Sequence, residues 1–332
     1  MKKLLLSVFA IAAMASCMQD ETISQNQQAI DFGTPFVDKA TKAEDLTYSG
    51  KTALTEFKVY GTVQGTGAGI VNIFNNATVS GTVGAGSEWT CDVKQYWIPG
   101  ANYEFAAVVD AATVGQDPAT LMPTTLVPAM NGEYLKDLLY DEATAVGHES
   151  NNEKVAIVFE HLLSKAHFTV TSNTVDGYYH KVTDIKIKNF TTGTYTIDGG
   201  TWSTPTETDK AYELGNIAEI TSTTGAQTNA TQVLLYPTTT DFTVEFTVEL
   251  RNKNGVDAGG NKVDALLSQV HYTSAASVAS GTKKDPITVS TDLLKGNAYN
   301  FQLELSVGEE IKFTVSKKPE WATPTNDEDV NL

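Results

Sequence analysis

Residues 242–250, Phe-Thr-Val-Glu-Phe-Thr-Val-Glu-Leu, decide how the rest of this chain is read. Phe242, Val244, Phe246, Val248 and Leu250 alternate with Thr243, Glu245, Thr247 and Glu249. A strand sends successive side chains to opposite faces, so this stretch predicts one apolar face and one polar face, with Glu245 and Glu249 toward solvent. The same period recurs after residue 50: Phe57, Val59; Tyr103, Phe105, Ala107, Val109; Val155, Ile157, Phe159; Ile185, Ile187; Phe301, Leu303, Leu305, Val307; and Ile311, Phe313, Val315. Turn-forming residues separate these runs, as at 65–69, at Ile98-Pro99-Gly100-Ala101, at Asp198-Gly199-Gly200 and at 255–260. Many short strands with one polar face predict an all-β chain of antiparallel sheets packed as sandwiches. Helical periodicity is weak. Residues 131–140, 161–165 and 264–268 are the only candidates, and none reaches three turns. The length suffices for two domains, and the polar, turn-rich stretch 172–177 is taken to divide a first sandwich (29–172) from a second (173–332).

The front of the chain is of another kind. MKKLLLSVFAIAAMASCMQDE sets two lysines before an apolar run of twelve residues, 4–15, that ends in small residues at Cys17. As a helix that run reaches about 18 Å, short of the ~30 Å core of a bilayer. A basic start, a short apolar run and small residues before a processing point make 1–16 a signal peptide. Met14-Ala15-Ser16-Cys17 resembles the lipobox of bacterial lipoproteins, which makes Cys17 the lipidated residue. Two or more acyl chains anchor a protein stably where one does not. The acidic Gln19-Asp20-Glu21 is similar to the signal that some Gram-negative lipoproteins carry to reach the outer face of the outer membrane. Residues 17–28 then read as a flexible tether, too polar to offset the entropy of ordering.

Removing the signal takes the basic count from 23 to 21 against 40 acidic residues, a formal charge of −19. Nucleic acid is excluded as a partner, because phosphate contacts need a basic patch. With Cys17 acylated, Cys91 has no partner, so no disulfide framework holds the fold, and Cys91 is expected to be a small buried thiol.

Chemistry-bearing motifs are missing. The chain has no G-x-S-x-G, no P-loop, no dinucleotide fingerprint and no H-E-x-x-H. The five histidines, His148, His161, His167, His180 and His271, show no zinc spacing and read as structural. A glycosidase pair needs two acids held across a cleft, and the acids here fall mostly on solvent-facing strand positions. The acidic tail Asn326-Asp327-Glu328-Asp329 reads as solvated charge rather than a calcium site. No cofactor, no metal and no enzymatic activity are expected. Trp89, Trp97, Trp202 and Trp321 read as core or rim packing; the alternative is a solitary surface lipoprotein that binds glycan through Trp97 or Trp202.

The order of several short motifs carries a resemblance. The lipobox is followed by Ile30-Asp31-Phe32, by Ala40-Thr41-Lys42-Ala43, by Tyr96-Trp97-Ile98-Pro99-Gly100 with Tyr103-Glu104-Phe105, and by VAIVFEHLLSKAHF over 155–168. Taken together these resemble the fimbrillin family of lipoprotein pilins, from the signal to near residue 170. The resemblance implies two transthyretin-like β-sandwiches in tandem and a structural, adhesive role in a surface fimbrium at the outer membrane. It also implies assembly with other pilin subunits by strand exchange: a surface protease removes the first strand, and a neighbour's strand fills the groove left behind. Carried onto this chain, the removable strand is 29–37, with Ile30, Phe32 and Phe36 as its apolar positions. The cut falls after Lys42 or Lys39, where the family has arginine; Arg251 is the only arginine of the chain. The donor falls in the C-terminal region, where Ile311, Phe313 and Val315 alternate, while the last eleven residues are too polar to fill an apolar slot.

Overall fold

A computed structural model describes residues 28–37, 54–65, 67, 69–82, 88–147, 153–203, 210–228, 231–256 and 258–318. The described residues are β throughout, without a helix. In chain order the strands are β1 (Phe36–Val37), β2 (Glu56–Gln64), β3 (Ile70–Ser80), β4 (Thr90–Cys91), β5 (Asn102–Val109), β6 (Ala111–Gln116), β7 (Pro123–Pro128), β8 (Met130–Asn131), β9 (Tyr134–Leu135), β10 (Leu139–Val146) and β11 (Val158–His161). There follow β12 (Ser164–Asn173), β13 (Tyr178–Asn189), β14 (Tyr195–Thr196), β15 (Thr201–Trp202), β16 (Lys210–Ile220), β17 (Gln227–Thr228), β18 (Val233–Leu235), β19 (Phe242–Val256), β20 (Lys262–Tyr272), β21 (Thr282–Lys284), β22 (Ile287–Val289), β23 (Ala298–Ser306) and β24 (Lys312–Lys318). The three weak helical candidates are corrected by this order: 264–268 lies within β20, 161–165 spans the end of β11 and the start of β12, and 131–140 holds β9 and the start of β10. Their apolar residues meet sheet partners, and cross-strand pairing outweighs a short run of helical propensity.

Two cores organise the chain. The first collects Ile30, Phe32, Val37, Phe57, Val59, Phe74, Val79, Trp89, Trp97, Tyr103, Phe105, Ala107, Val155, Ile157 and Phe159, all buried. It lies against one face of a seven-stranded sheet of order β1-β11-β10-β5-β2-β3-β4. The opposite face of that sheet, through Tyr60, Ala106, Val108 and Tyr140, packs with Leu126 of β7 and Tyr195 of β14 into the second core. The four-stranded sheet β15-β14-β7-β6 therefore links the two halves.

The second core lies between a six-stranded sheet and a five-stranded one. The first runs β16-β13-β19-β20-β21 with β22 beside β19; the second runs β17-β12-β23-β24 with β18 beside β12. Val182, Ile185, Ile187, Val244 and Phe246 face Phe168, Val170, Phe301, Leu303 and Leu305 across it. The changeover between cores falls between Phe159 and Leu162, and β12 gives its side chains to the second. Pairing is mostly antiparallel, but β12 runs parallel to β23 from Lys165↔Ala298 to Asn173↔Ser306. Well over a hundred residues separate these two strands in sequence, ample for the crossover that parallel pairing requires.

The stretch 242–250 occupies the middle of the six-stranded sheet, and here the polar face departs from expectation. Glu245 is buried rather than solvent-facing. Lys188 of β13 holds its carboxylate at 3.1 Å, and Ser274 N–H donates to it at 2.9 Å. Burial alone would raise this carboxyl, but the hydrogen bonds from Ser274 and the Lys188 ammonium outweigh it and hold the group below the ordinary glutamate range. A depressed carboxyl stabilises the fold above its unfolded-state pKa, and that contribution disappears as pH falls through the folded one. Glu245→Gln is accordingly expected to lose about 1 kcal/mol near neutral pH and nothing in acid below the folded-state pKa. Urea unfolding at both conditions checks this, and an equal loss at both would contradict it.

Candidate functional site

Residues 28–37 do not lie along the surface as a free leader. Phe32 bridges Trp89 antiparallel on one side and Val155 parallel on the other, and Ala29 bridges Tyr96. Further along, Phe36 and Val37 pair parallel with Val158 and Phe159 of β11. Trp89 adjoins β4, the last strand of the seven-stranded sheet, and β1 is its first. The segment therefore joins the two margins of one sheet and closes it into a barrel-like wall around the first core. Closure removes both open edges, which would otherwise expose unpaired backbone groups beside apolar side chains.

The backbone bonds are those of an inserted strand. Ile30 N–H donates to Gln95 O at 2.8 Å, and Trp97 N–H donates to Gln28 O at 3.0 Å. On the other side Val155 N–H donates to Asp31 O (2.8 Å), Gly33 N–H to Val155 O (2.9 Å) and Phe36 N–H to Ile157 O (3.0 Å). The Phe32 ring is 1% exposed and stands edge-on to Phe57, Phe74 and Phe105, with centroids 6.1, 5.8 and 5.9 Å away. Gly61 of β2 makes room for this cluster, because a Cβ there would press on the Phe74 and Phe105 rings at 3.0 Å. Trp89 Nε1 is buried without a hydrogen-bond partner among the described residues. An orphaned buried donor costs about 1–3 kcal/mol.

Of the three apolar positions expected in this segment, Ile30 and Phe32 face the core, whereas Phe36 is 43% exposed and Val37 is buried in its place. The parity changes at Gly33-Thr34-Pro35, where proline lacks an N–H to continue the ladder and restricts the residue before it. Strict alternation also missed the flanking partners Trp89, Gln95 and Val155. Val155 was legible as a strand position, but nothing local pairs it with Phe32. Cys17, Lys39 and Lys42 lie outside the described residues.

Ile311, Phe313 and Val315 lie at the far margin of the second core, partly buried against it. Phe313 and Val315 belong to β24, which pairs only with β23 among the described strands, and Ile311 directly precedes it. The Phe313 ring meets Phe168, Phe246 and Phe301 at 6.2, 6.5 and 6.3 Å. The structure does not bring these three residues to the first core.

Trp97 is 2% exposed, its ring edge-on to Tyr103 at 4.7 Å, so it offers no face to a sugar. Trp202 is half-buried between Tyr195 and Tyr236 and donates through Nε1 to Leu162 O at 2.9 Å. It lines a cleft of about 600 Å³ with Thr238, Thr240, Leu293 and Lys295. Cys91 is half-buried in β4 rather than buried; partial burial and the neighbouring Asp92 push its thiol up against the lowering effect of a backbone bond at Val93. No three His, Cys, Asp or Glu residues gather as a metal site among the described residues.

Comparison with known proteins settles the family. Residues 41–319 match the fimbrillin-like family. The chain belongs to it. Membership in the fimbrillin-like family makes this a structural, non-enzymatic protein. The chain also superposes on a fimbrial protein of Bacteroides vulgatus with a TM-score of 0.61 at 14% identity, over 90% of this chain and 100% of that one. A candidate cell adhesion protein of Bacteroides ovatus superposes with a TM-score of 0.50 at 14% identity, over 90% and 99% of the two chains. At such identity the likeness is one of fold. No curated protein matches the chain in sequence. Residues 28–37 as a whole lie upstream of the matched region, whereas the sheet margins they join, at Trp89 and at 155–159, lie within it.

Proposed function

We infer that this fimbrillin-like chain is a structural and adhesive subunit of a surface fimbrium, exported as a lipoprotein through Cys17 and polymerised by strand exchange. In this reading the chain is built as two transthyretin-like sandwiches in tandem, a protease cuts after Lys42 or Lys39, and the segment 29–37 departs. One observation supports it above the others: residues 28–37 close the seven-stranded sheet. Their loss would open a slot floored by Phe57, Phe74 and Phe105 and rimmed by the unpaired backbone of Gln95, Trp97, Val155 and Ile157. An extended segment from another subunit restores both the hydrogen bonds and the burial at once.

The magnitudes suit a durable polymer. Refilling the Ile30, Phe32 and Val37 sites at about 1.5–3 kcal/mol per side chain gives a gross of about 5–9 kcal/mol before ordering costs. The backbone bonds and the remaining strand length come in addition. Strand β24 is the candidate donor, with Phe313 and Val315 in it and Ile311 before it. As an edge strand paired to β23 alone it exchanges partners at lower cost than a central strand. The lipid anchor places the precursor at the outer membrane, and the other pilin subunits and the surface protease are its partners.

Trypsin tests the reading directly. Purified mature protein is expected to stay monomeric until cut, and then to form filaments visible by negative-stain electron microscopy, with the released segment identified by mass spectrometry. Cut protein that remains monomeric at high concentration would exclude strand exchange.

A further inference from the structure

Among the described residues, the last row of strand positions at the end of the first domain farthest from the changeover between the cores carries no charge; the first charge inward is Glu104, opposite Thr62 and Thr144. Residues 63–71, 97–102 and 144–147 read VQGTGAGIV, WIPGAN and TAVG, without one Asp, Glu, Lys or Arg, in a chain of net charge −17. Strand register brings the described strand residues of these stretches together. Gln64 lies opposite Ile70 on β3 and opposite Asn102 on β5, and Asn102 lies opposite Val146 on β10. Four adjacent strands at about 4.8 Å spacing put Ile70 and Val146 about 14 Å apart along one rim. Gly147 N–H donates to Ala101 O at 2.8 Å and Gly100 N–H to Gly147 O at 2.9 Å, and a Cβ on Gly147 would overlap the Ile98 carbonyl. Ile98 is thereby fixed beside Val146.

Ile70 (50% exposed) and Val146 (61%) share one face of this rim with the uncharged Gln64 and Asn102 between them, and Ile98 (49%) stands beside Val146. Single exposed apolar residues are ordinary on any protein. Ile70, Ile98 and Val146, set in a rim row that holds only uncharged residues, form in this strongly acidic chain a surface that solubility does not explain. The same end holds the mouth of the seam, since Trp97, next to Ile98, receives the backbone of Gln28 there.

Resting on the strand-exchange reading above, the geometry points to this uncharged rim as the surface against which the body of the strand-donating copy of the same chain seats. Two molecules of net charge −17 repel each other over most of their surfaces, and an uncharged end is where they approach at least Coulombic cost. A strand that fills the seam brings its own subunit to the seam's mouth, and the rim is what that subunit meets. The contact is heterologous, because the rim and the donating strand are different surfaces of one chain, and such contacts propagate into open filaments.

The test separates the rim from the slot. Trypsin-cut wild type and the cut double variant Ile98→Asp/Val146→Asp are compared for assembly by sedimentation, and for binding of a fluorescein-labelled peptide of residues 28–37. Peptide binding reports that the slot is intact. The expected result is unchanged peptide binding with assembly weakened about tenfold or more, as burial of an unpaired charge in an interface requires. Equal assembly by variant and wild type overturns the proposal while leaving strand exchange standing. Loss confined to flotation with phosphatidylethanolamine–phosphatidylglycerol vesicles assigns the rim to a membrane and overturns it as well. Wild type that binds peptide yet never assembles overturns the rim contact, and wild type that does neither overturns both readings. Should the double variant fail to bind peptide, Ile70→Asp on the other side of the rim replaces it, with the same outcomes.

Discussion

Phe32→Ala is expected to destabilise the first core by about 3–5 kcal/mol, the cost of emptying a fully buried aromatic site. Phe32 is the one side chain of the seam that touches three other rings, Phe57, Phe74 and Phe105, and its backbone is bridged on both sides. The rings that remain belong to β2, β3 and β5, which are tied into the sheet by their own ladders and have little freedom to collapse into the void. Guanidinium unfolding followed by tryptophan fluorescence checks the value, because Trp89 and Trp97 both lie in the first core. A loss below about 1 kcal/mol would mean that the segment rests on the core rather than completing it, and the strand-exchange reading would lose its main support. The same variant predicts a functional effect: a less tightly held segment leaves sooner, so cut Phe32→Ala protein is expected to assemble faster than wild type.

Phe168→Ala is expected to cost a similar amount, about 3–5 kcal/mol, in the second core. Phe168 is fully buried on β12 and contacts Phe246 of β19 at 5.8 Å and Phe313 of β24 at 6.2 Å. It is one of the three rings, with Phe246 and Phe301, that pin Phe313 of the edge strand β24. Hydrogen exchange is expected to show β24 amides released first in this variant, ahead of β23, which keeps β12 as its other neighbour. Uniform acceleration across both sheets would show that β24 is held by the domain as a whole. Because Phe32 and Phe168 belong to separate cores, their effects are expected to add within about 0.5 kcal/mol in the double variant. A larger coupling would show that the linking sheet of β6, β7, β14 and β15 transmits strain between the halves.

The candidate site is partly legible in the sequence. Ile30 and Phe32 stand out as apolar residues in a polar stretch, and their spacing of two places both on one face of a strand. Continuing that alternation puts Phe36 on the same face, and the alternation fails at Gly33-Thr34-Pro35. A proline interrupts the ladder there, and Val37 takes the buried position. Alternation points Glu245 outward and fails there for a similar reason. Alternation describes a strand with one wet face, whereas β19 lies between β13 and β20 with the 273–274 turn folded over its polar side. Trp97 was a candidate sugar platform on residue type alone, and burial beside Tyr103 removes it.

The amino-acid sequence by itself determined that strands dominate this chain and where several of its turns fall, and it marked the apolar spacing of the front segment, because side-chain period and turn chemistry are local properties of the backbone. Only the tertiary structure decided that residues 28–37 join the two margins of one sheet, that β12 runs beside β23, and that an uncharged rim gathers from three separated stretches. Those facts depend on pairings between residues tens to more than a hundred positions apart. The free energy that selects such pairings comes from burying both partners together, which no stretch read alone contains.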